Sequence, residues 1–138
     1  MAVNTRFATG VHTLVLLAVE PEVLQTSEDL ARKLNTNPVI IRRVLGLLQK
    51  AKLIESQKGP SGGSRLARSP KSISLGDIHR ALEPNNVFHA ATVSGPSVAK
   101  IRGALEKACQ SAQTALEQDL GQISLNQLVK KLDKKAKK

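Results

Sequence analysis

The sequence has few aromatic residues and a single cysteine. Phe7 and Phe88 are its only aromatic side chains apart from histidine, and Trp and Tyr are absent. Modules that bind RNA or single strands usually stack bases on aromatic side chains, so this composition argues against such modules. One cysteine, Cys109, excludes a disulfide framework within the chain and indicates a reducing compartment.

The sequence also lacks an apolar run long enough to span a membrane. The apolar stretch Val11 to Val19 leads into Glu20-Pro21-Glu22 without a small-residue cleavage site. We interpret this stretch as a helix of the mature protein and not as a signal peptide. The expected location is therefore the cytoplasm, with the protein associated with the bacterial nucleoid.

Motifs for catalysis and metal binding are missing as well. The chain has no GxGxxG or GxxxxGK[ST] pattern, which excludes a nucleotide-binding Gly-rich loop. His12, His79 and His89 share no metal-ligand spacing, and no nucleophile–base pair stands out. We predict a protein that is not an enzyme and has no metal site.

Positive charge is abundant and concentrated. The 138 residues, one domain by length, carry a formal net charge of +10. Between Arg32 and Lys71 there are ten Lys or Arg residues against one acid, Glu55, and six lysines against one aspartate follow from Lys130 to Lys138. Such a concentration is typical of a surface that binds phosphates. The basic tail, 134–138, either adds nonspecific attraction or serves only solubility.

The segment from Ser27 to Ala51 predicts two short helices joined by a tight turn. Ser27–Leu34 forms the first helix, 35–37 the turn, and Pro38–Ala51 the second helix. The second helix has one apolar face and an opposite face that carries Val39, Arg43, Gly46 and Lys50, with Arg42 on its flank. Alone, this pattern equally fits an ordinary amphipathic helix with a solvated basic face. The preceding helix and the short turn favour a helix-turn-helix, with the second helix in the major groove of duplex DNA.

A hairpin with a Gly-rich loop follows. Residues 53–57 predict a strand, KGPSGGS a loop, and 65–67 a returning strand. Gly62 and Gly63 permit positive φ and a close approach of the backbone to phosphate. Lys58 and Arg65 place positive charge at the base of the loop.

A longer helix, the fifth of the chain and labelled α5, is expected near the C-terminus, over 97–121. Its apolar residues alternate in steps of three and four, which predicts a heptad-like seam for a second copy of the chain. We call this set the α5 seam: Val98, Ile101, Leu105, Ala108, Ala112 and Ala115. The alternative is packing against the first helix, 5–19, within one chain. A last helix is expected over 124–132.

The whole pattern predicts a mainly α fold with a small β-hairpin. The expected division is a winged helix-turn-helix domain over 1–83, a linker over 84–96, dimerisation helices over 97–133 and the basic tail. Sequence-specific duplex DNA binding by a homodimer is the favoured function. A winged-helix protein-interaction module and a nonspecific DNA-binding protein are the alternatives.

The chain resembles the Rrf-two family of bacterial winged-helix transcription regulators, whose members include IscR-, NsrR- and CymR-like proteins. The resemblance rests on RFATGVHTLVLLA, LARKLNTNPVIIRRVLGLLQKAKLIES, KGPSGGSRLARSP and ISLGDIHRALE. It is strongest to the YwnA-like branch, where the TNPxxxRR pattern occurs. It implies a homodimeric repressor with a pseudo-palindromic operator and wing contacts in the minor groove. The expected DNA-binding residues are Arg6, Thr36, Asn37, Val39, Arg42, Arg43, Lys50, Lys58, Ser61, Gly62, Gly63, Ser64 and Arg65.

The sequence departs from the family in its cysteines. Several members hold an iron–sulfur cluster on three cysteines, whereas Val87 to Cys109 contains only Cys109, so we predict no cofactor. Stoichiometric iron and sulfide in anaerobically purified protein would contradict this. Cys109 is either a redox sensor or a small packed side chain. An unidentified small-molecule or protein effector near Phe88 and His89 is a hypothesis from their position alone.

Overall fold

The computed structural model describes residues 5–83 and 95–136, except for the side chains of 133–136. The described helices and strands confirm a mainly α fold with one antiparallel β-hairpin. In chain order they are α1 (Arg6–Val19), α2 (Ser27–Lys33), α3 (Pro38–Lys50), β1 (Ile54–Gln57), β2 (Gly63–Leu66), a 3₁₀ turn (Pro70–Ser72), α4 (Leu75–Leu82), α5 (Pro96–Gly121) and α6 (Leu125–Ala136). The helices end within a few residues of the predicted bounds.

Local capping chemistry sets where the two helices of the helix-turn-helix begin. Thr26 Oγ1 accepts a hydrogen bond from the Asp29 N–H at 3.0 Å, and the Asp29 carboxylate accepts one from the Thr26 N–H. This reciprocal pair is a capping box, which satisfies donors that a helix start leaves free. Asn37 Oδ1 accepts from the Val39 N–H at 2.8 Å, and Pro38 occupies the first position of α3. Asn37 therefore caps α3, and the missing N–H of Pro38 leaves no donor unsatisfied at the first position.

The turn between α2 and α3 depends on an asparagine in a left-handed conformation. Asn35 has φ of 54°, a region that Asn tolerates better than most side chains. The next N–H, of Thr36, donates to the carbonyl of Ala31 at 2.9 Å and closes the end of α2. The chain therefore reverses within three residues and sets α3 across α2.

The hydrophobic core lies between α1, α2, α3, α4 and α6. Each helix contributes side chains that are fully or almost fully buried, so the apolar stripes meet in one cluster. Burying each such side chain contributes on the order of 1.5–3 kcal/mol, and this packing holds α3 with its opposite face towards solvent. The main contributors are Leu14, Leu17, Ile41, Val44, Leu48, Ile78, Leu82, Leu125 and Val129.

The last helix belongs to this core. Leu125 is fully buried, and α6 packs against α1 and the 3₁₀ turn. The Leu75 N–H donates to the Ile123 carbonyl and the Leu125 N–H to the Ile73 carbonyl, both at 2.8 Å. The domain boundary predicted at 97 therefore separates α6 from a domain whose core it completes. Periodicity alone did not indicate this return of the chain.

The long helix α5 contacts the domain through α4. A Cβ added to Gly76 would lie 3.3 Å from the Glu117 carbonyl oxygen and 3.2 Å from the Gly121 nitrogen, so the two helices approach closely here. Among the described side chains of α5, only that of Gln113 is buried, and its amide donates a hydrogen bond to the Glu117 carboxylate. Residues 84–94, which hold most of the predicted linker and the hypothetical effector region at Phe88 and His89, lie outside the described residues.

Candidate nucleic-acid interface

The outer face of α3 is exposed. Ile41, Val44, Leu45 and Leu48 are buried, and the outward side carries Val39, Arg43, Gly46 and Lys50, as the helical period predicts. Val39 is 50% exposed, and a Cβ added to Gly46 would meet no atom within 4 Å. This side of α3 therefore presents a low ridge with a positive charge at its middle and at its end. An α-helix with such a ridge fits the major groove of duplex DNA.

The two neighbouring arginines of α3 differ in their surroundings. Arg42 lies on the flank that faces α2, and its Nη2 donates to Glu28 Oε1 at 2.7 Å. Arg43 points outward and has no ion pair among the residues that the structure describes. Thr36 and Asn37 lie at the start of the same helix, where the Asn37 side chain is used as the cap.

The Glu28 carboxylate is held in its charged form. Its own backbone N–H, then the Arg42 guanidinium and the Ser27 hydroxyl, lower the pKa of Glu28 from its ordinary value of 4.5. The carboxylate therefore remains charged throughout the neutral range. The helix-turn-helix surface is not uniformly basic, because one acid sits beside one of the two α3 arginines.

The hairpin forms a wing beside α3. Its strands pair Ile54 with Leu66 and Gln57 with Gly63, so the returning strand begins two residues before the predicted start. A five-residue loop, 58–62, connects them and carries Lys58 and Ser61 in exposed positions. Arg65 stands directly opposite Glu55, with Nε 3.3 Å from the carboxylate. The wing thus presents one cation without an ion pair in the described part of the chain, Lys58, and one paired cation, Arg65.

Close approaches within the chain fix the two glycines of the wing. A Cβ on Gly62 would lie 2.0 Å from the Gln57 carbonyl oxygen. Gly63 has φ of +154°, and its Cβ would lie 2.9 Å from the backbone of Gln25. Glycine is required at both positions because no side chain fits, which is a reason within the chain itself. The approach of this backbone to phosphate stays a prediction.

Ser64 lies inside the base of the wing. It is 4% exposed, its hydroxyl is 2.9 Å from the Ser56 hydroxyl, and its backbone exchanges two hydrogen bonds with Gln25. The predicted direct contact of Ser64 with DNA does not fit this placement. The signal that sequence analysis missed is Gln25, a buried polar residue that also donates to the Leu16 carbonyl and accepts from Lys33. Gln25 therefore fixes the wing to α1 and α2.

Arg6 lies apart from α3, at the first turn of α1. It makes a two-point contact with Glu83, with Nη2–Oε2 at 3.0 Å and Nε–Oε1 at 3.3 Å. The contact ties the start of α1 to the end of α4. A contact of Arg6 with DNA stays a prediction.

The α5 seam is open to solvent in one chain. Ile101 and Leu105 are 60% and 59% exposed, Val98 is half-buried, and Ala108, Ala112 and Ala115 are exposed. Monomeric proteins expose single apolar residues often, but a contiguous apolar row indicates a contact surface. Cys109, next to the seam, is half-buried and has a free thiol.

Among the described residues, no helix is long and apolar enough to cross a membrane. Within the same ranges, no group of three or more His, Cys, Asp or Glu side chains could hold a metal ion.

The short turn between α2 and α3, the exposed outer side of α3 and the adjoining hairpin define the class of protein. It is a winged helix-turn-helix DNA-binding protein. The match to known proteins narrows the class. Residues 3–131 match the family model described as "Rrf2: Iron-dependent Transcriptional regulator", and the chain belongs to this family of transcriptional regulators.

Individual relatives agree with this assignment. The chain is 34% identical over 134 residues to YwnA of Bacillus subtilis, which is named as an HTH-type transcriptional regulator, and the alignment covers 94% of this chain and 98% of YwnA. A crystal structure named for a DNA-binding protein has 33% identity and a TM-score of 0.74, covering 89% and 97% of the two chains. CymR, named as the global cysteine regulator of B. subtilis, has the same fold, with a TM-score of 0.68, 23% identity and coverage of 94% and 97%. The predicted family resemblance is confirmed.

The iron named in the family description does not fit this chain's donors. The full sequence has one cysteine, on α5, and the described residues hold no group of three or more His, Cys, Asp or Glu side chains that could bind a metal ion. A cluster on three cysteines of one chain cannot be assembled here.

Proposed function

We propose that the protein is a homodimer that binds specific pseudo-palindromic sites in duplex DNA and represses transcription by occupying promoters. The observation that carries this proposal is the exposed outer side of α3, where Arg43 stands between Val39 and Lys50. A guanidinium can donate to O6 and N7 of guanine together, and Val39 can contact a thymine methyl group. These contacts supply sequence readout, whereas charge alone supplies only attraction.

The other predicted residues position α3 on the backbone. Lys50 at the end of α3 and Lys58 in the wing are exposed cations that reach phosphates on either side of the groove. The wing enters the adjacent minor groove, where it presents Ser61, the backbone at Gly62 and Gly63, and Arg65. Thr36 and Asn37 approach phosphate at the start of α3. We do not expect the Ser64 hydroxyl to contact DNA, because it is enclosed at the base of the wing.

Dimerisation follows from the α5 seam. A second copy that packs its own seam on this row would cover Ile101 and Leu105 in a two-fold arrangement, since the same patch can serve both subunits. Two copies of α3 then address two half-sites, one or more helical turns apart, about 34–36 Å for one turn. Repression needs only occupancy, and we expect transcription in vitro to fall as the site fills. A rise would contradict repression.

Arg43→Ala tests specific readout. With a site selected from a random duplex library, the loss should be about 1–3 kcal/mol, and base preference should relax at one position of each half-site. The matched control is Lys107→Ala, which removes one positive charge from α5 and should leave base preference unchanged. An equal loss on every sequence would support a nonspecific DNA-binding protein. Unchanged binding would favour a protein-interaction module.

A further inference from the structure

The ion pair between Glu28 and Arg42 joins the two helices of the helix-turn-helix. Glu28 is the second residue of α2 and Arg42 the fifth of α3, and Nη2–Oε1 is 2.7 Å. Their side chains remain 60% and 56% exposed, so solvent screens the pair. Exposed pairs contribute only about 0–1 kcal/mol to stability. The small contribution of this ion pair to stability therefore does not explain why an acid occupies this position.

Both oxygens of the Glu28 carboxylate are engaged. Oε1 accepts from Arg42, and Oε2 accepts from the Ser27 hydroxyl at 3.2 Å. Two partners restrict the carboxylate, and the carboxylate in turn restricts the guanidinium. Arg42 donates only Nη2 to Glu28, and a guanidinium has five N–H donors in a fixed fork. The remaining donors stay available beside the outer side of α3.

The pair also changes the local charge. Arg42 and Glu28 cancel each other, whereas the adjacent Arg43 has no acid partner in the described part of the chain. An unpaired arginine beside DNA attracts any phosphate, whatever the sequence. A carboxylate at the same place repels phosphate and so opposes that attraction. The repulsion is offset only where the Arg42 guanidinium donates hydrogen bonds to a matching partner.

We propose that Glu28 is a specificity-determining residue that acts through Arg42. It holds the Arg42 guanidinium in one direction and cancels its charge. Arg42 then contributes to recognition of the cognate site and adds little to binding of arbitrary DNA. The inference rests on the proposed DNA-binding function, and Glu28 itself is a positioning residue that need not touch a base.

Glu28→Gln tests the inference, because glutamine keeps the length and a hydrogen-bond acceptor but loses the charge. The selected site and a scrambled duplex of equal length serve as the two ligands, over 50–200 mM salt. We expect tighter binding to the scrambled duplex and a salt slope steeper by up to about 0.9, the value for one additional phosphate contact. That slope corresponds to about 3-fold more affinity lost over this salt range. The ratio of selected-site to scrambled affinity should fall.

Glu22→Gln is the matched control. Glu22 is an exposed acid in the loop between α1 and α2, without an ion pair among the described residues. The substitution removes the same charge without freeing an arginine. If Glu22→Gln lowers the selected-to-scrambled ratio as much as Glu28→Gln, Glu28 acts only through net charge and the inference is wrong.

A double-mutant cycle tests whether Glu28 acts through Arg42. In an Arg42→Gln background there is no guanidinium for Glu28→Gln to free, so the substitution should remove only the repulsion of the carboxylate and should no longer add a phosphate contact to the salt slope. Additive effects would overturn the inference. Failure of the proposed function itself gives a different result, because the wild-type protein would then not distinguish selected from scrambled DNA. A wild type that discriminates, with Glu28→Gln indistinguishable from it, overturns this inference alone.

Discussion

Removal of the two largest side chains from the α5 seam should abolish the dimer. Ile101 and Leu105 keep about three-fifths of their surface exposed in one chain. Full burial of such a side chain contributes roughly 1.5–3 kcal/mol, so covering the exposed part contributes about 1–2 kcal/mol for each. A two-fold interface contains four of them, and Ile101→Ser with Leu105→Ser should therefore cost about 4–8 kcal/mol of association free energy. At 1.4 kcal/mol for each tenfold change, dimerisation weakens by about 10³- to 10⁶-fold.

Sedimentation velocity over a concentration series measures this loss. The monomer fold should survive, because neither side chain belongs to the buried core, and circular dichroism checks that it does. Lys107→Ser is the control, since Lys107 lies about 160° around α5 from Leu105 and should leave the dimer intact. On DNA, the double variant should bind a single half-site as the wild-type monomer does and lose the gain from the second half-site. A wild type that stays monomeric at tens of micromolar, or a double variant that dimerises normally, would refute the reasoning.

Two further predictions concern the wing and the cap of α2. Gly62→Ala should displace the wing loop, because the new Cβ would collide with the Gln57 carbonyl, and cost about 1–3 kcal/mol in stability with weaker DNA binding, as measured by thermal melting and anisotropy. Gly103→Ala is the control, since a Cβ there would meet no atom within 4 Å and should not lower the melting temperature. A Gly62→Ala melting temperature equal to that of the wild type would contradict the prediction. Hydrogen bonds from the Thr26 hydroxyl, the Thr26 backbone and Arg32 lower the pKa of Asp29 below its ordinary 3.8. The stabilisation that the charged Asp29 carboxylate contributes is therefore complete above about pH 4, and it is lost as pH falls through the lower folded-state pKa. Asp29→Asn should therefore flatten the acid end of the stability profile, measured by urea unfolding between pH 2.5 and 5 in steps of about half a unit, and an unchanged profile would contradict this assignment.

Local signals predicted the helix-turn-helix well. The apolar face of α3 depends on residues three or four positions apart, and the structure buries Ile41, Val44 and Leu48 as that spacing predicts. The outward direction of Arg43 followed from the same period. Such features depend on residues that are close together in the chain, so a single sequence is enough to predict them.

Features that depend on distant contacts were missed. The Glu28–Arg42 pair spans the turn, and it forms only because the two helices pack against each other. Gln25 and Ser64 meet through a bridge between a loop and β2, for which no local pattern exists. The return of α6 into the core likewise depends on hydrogen bonds between 73–75 and 123–125. These contacts decide which predicted site residues are exposed and which, like Ser64, are enclosed.

Specific recognition of duplex DNA can be measured by selecting a site and then comparing its affinity with that of an unrelated sequence. The protein is used to select a site from a random duplex library, and fluorescence anisotropy then compares that site with a scrambled duplex over a salt series. The account predicts that the selected site binds more tightly and that the difference persists at physiological salt, where phosphate attraction is weakened. Equal affinity for both duplexes, falling together as salt rises, would contradict it.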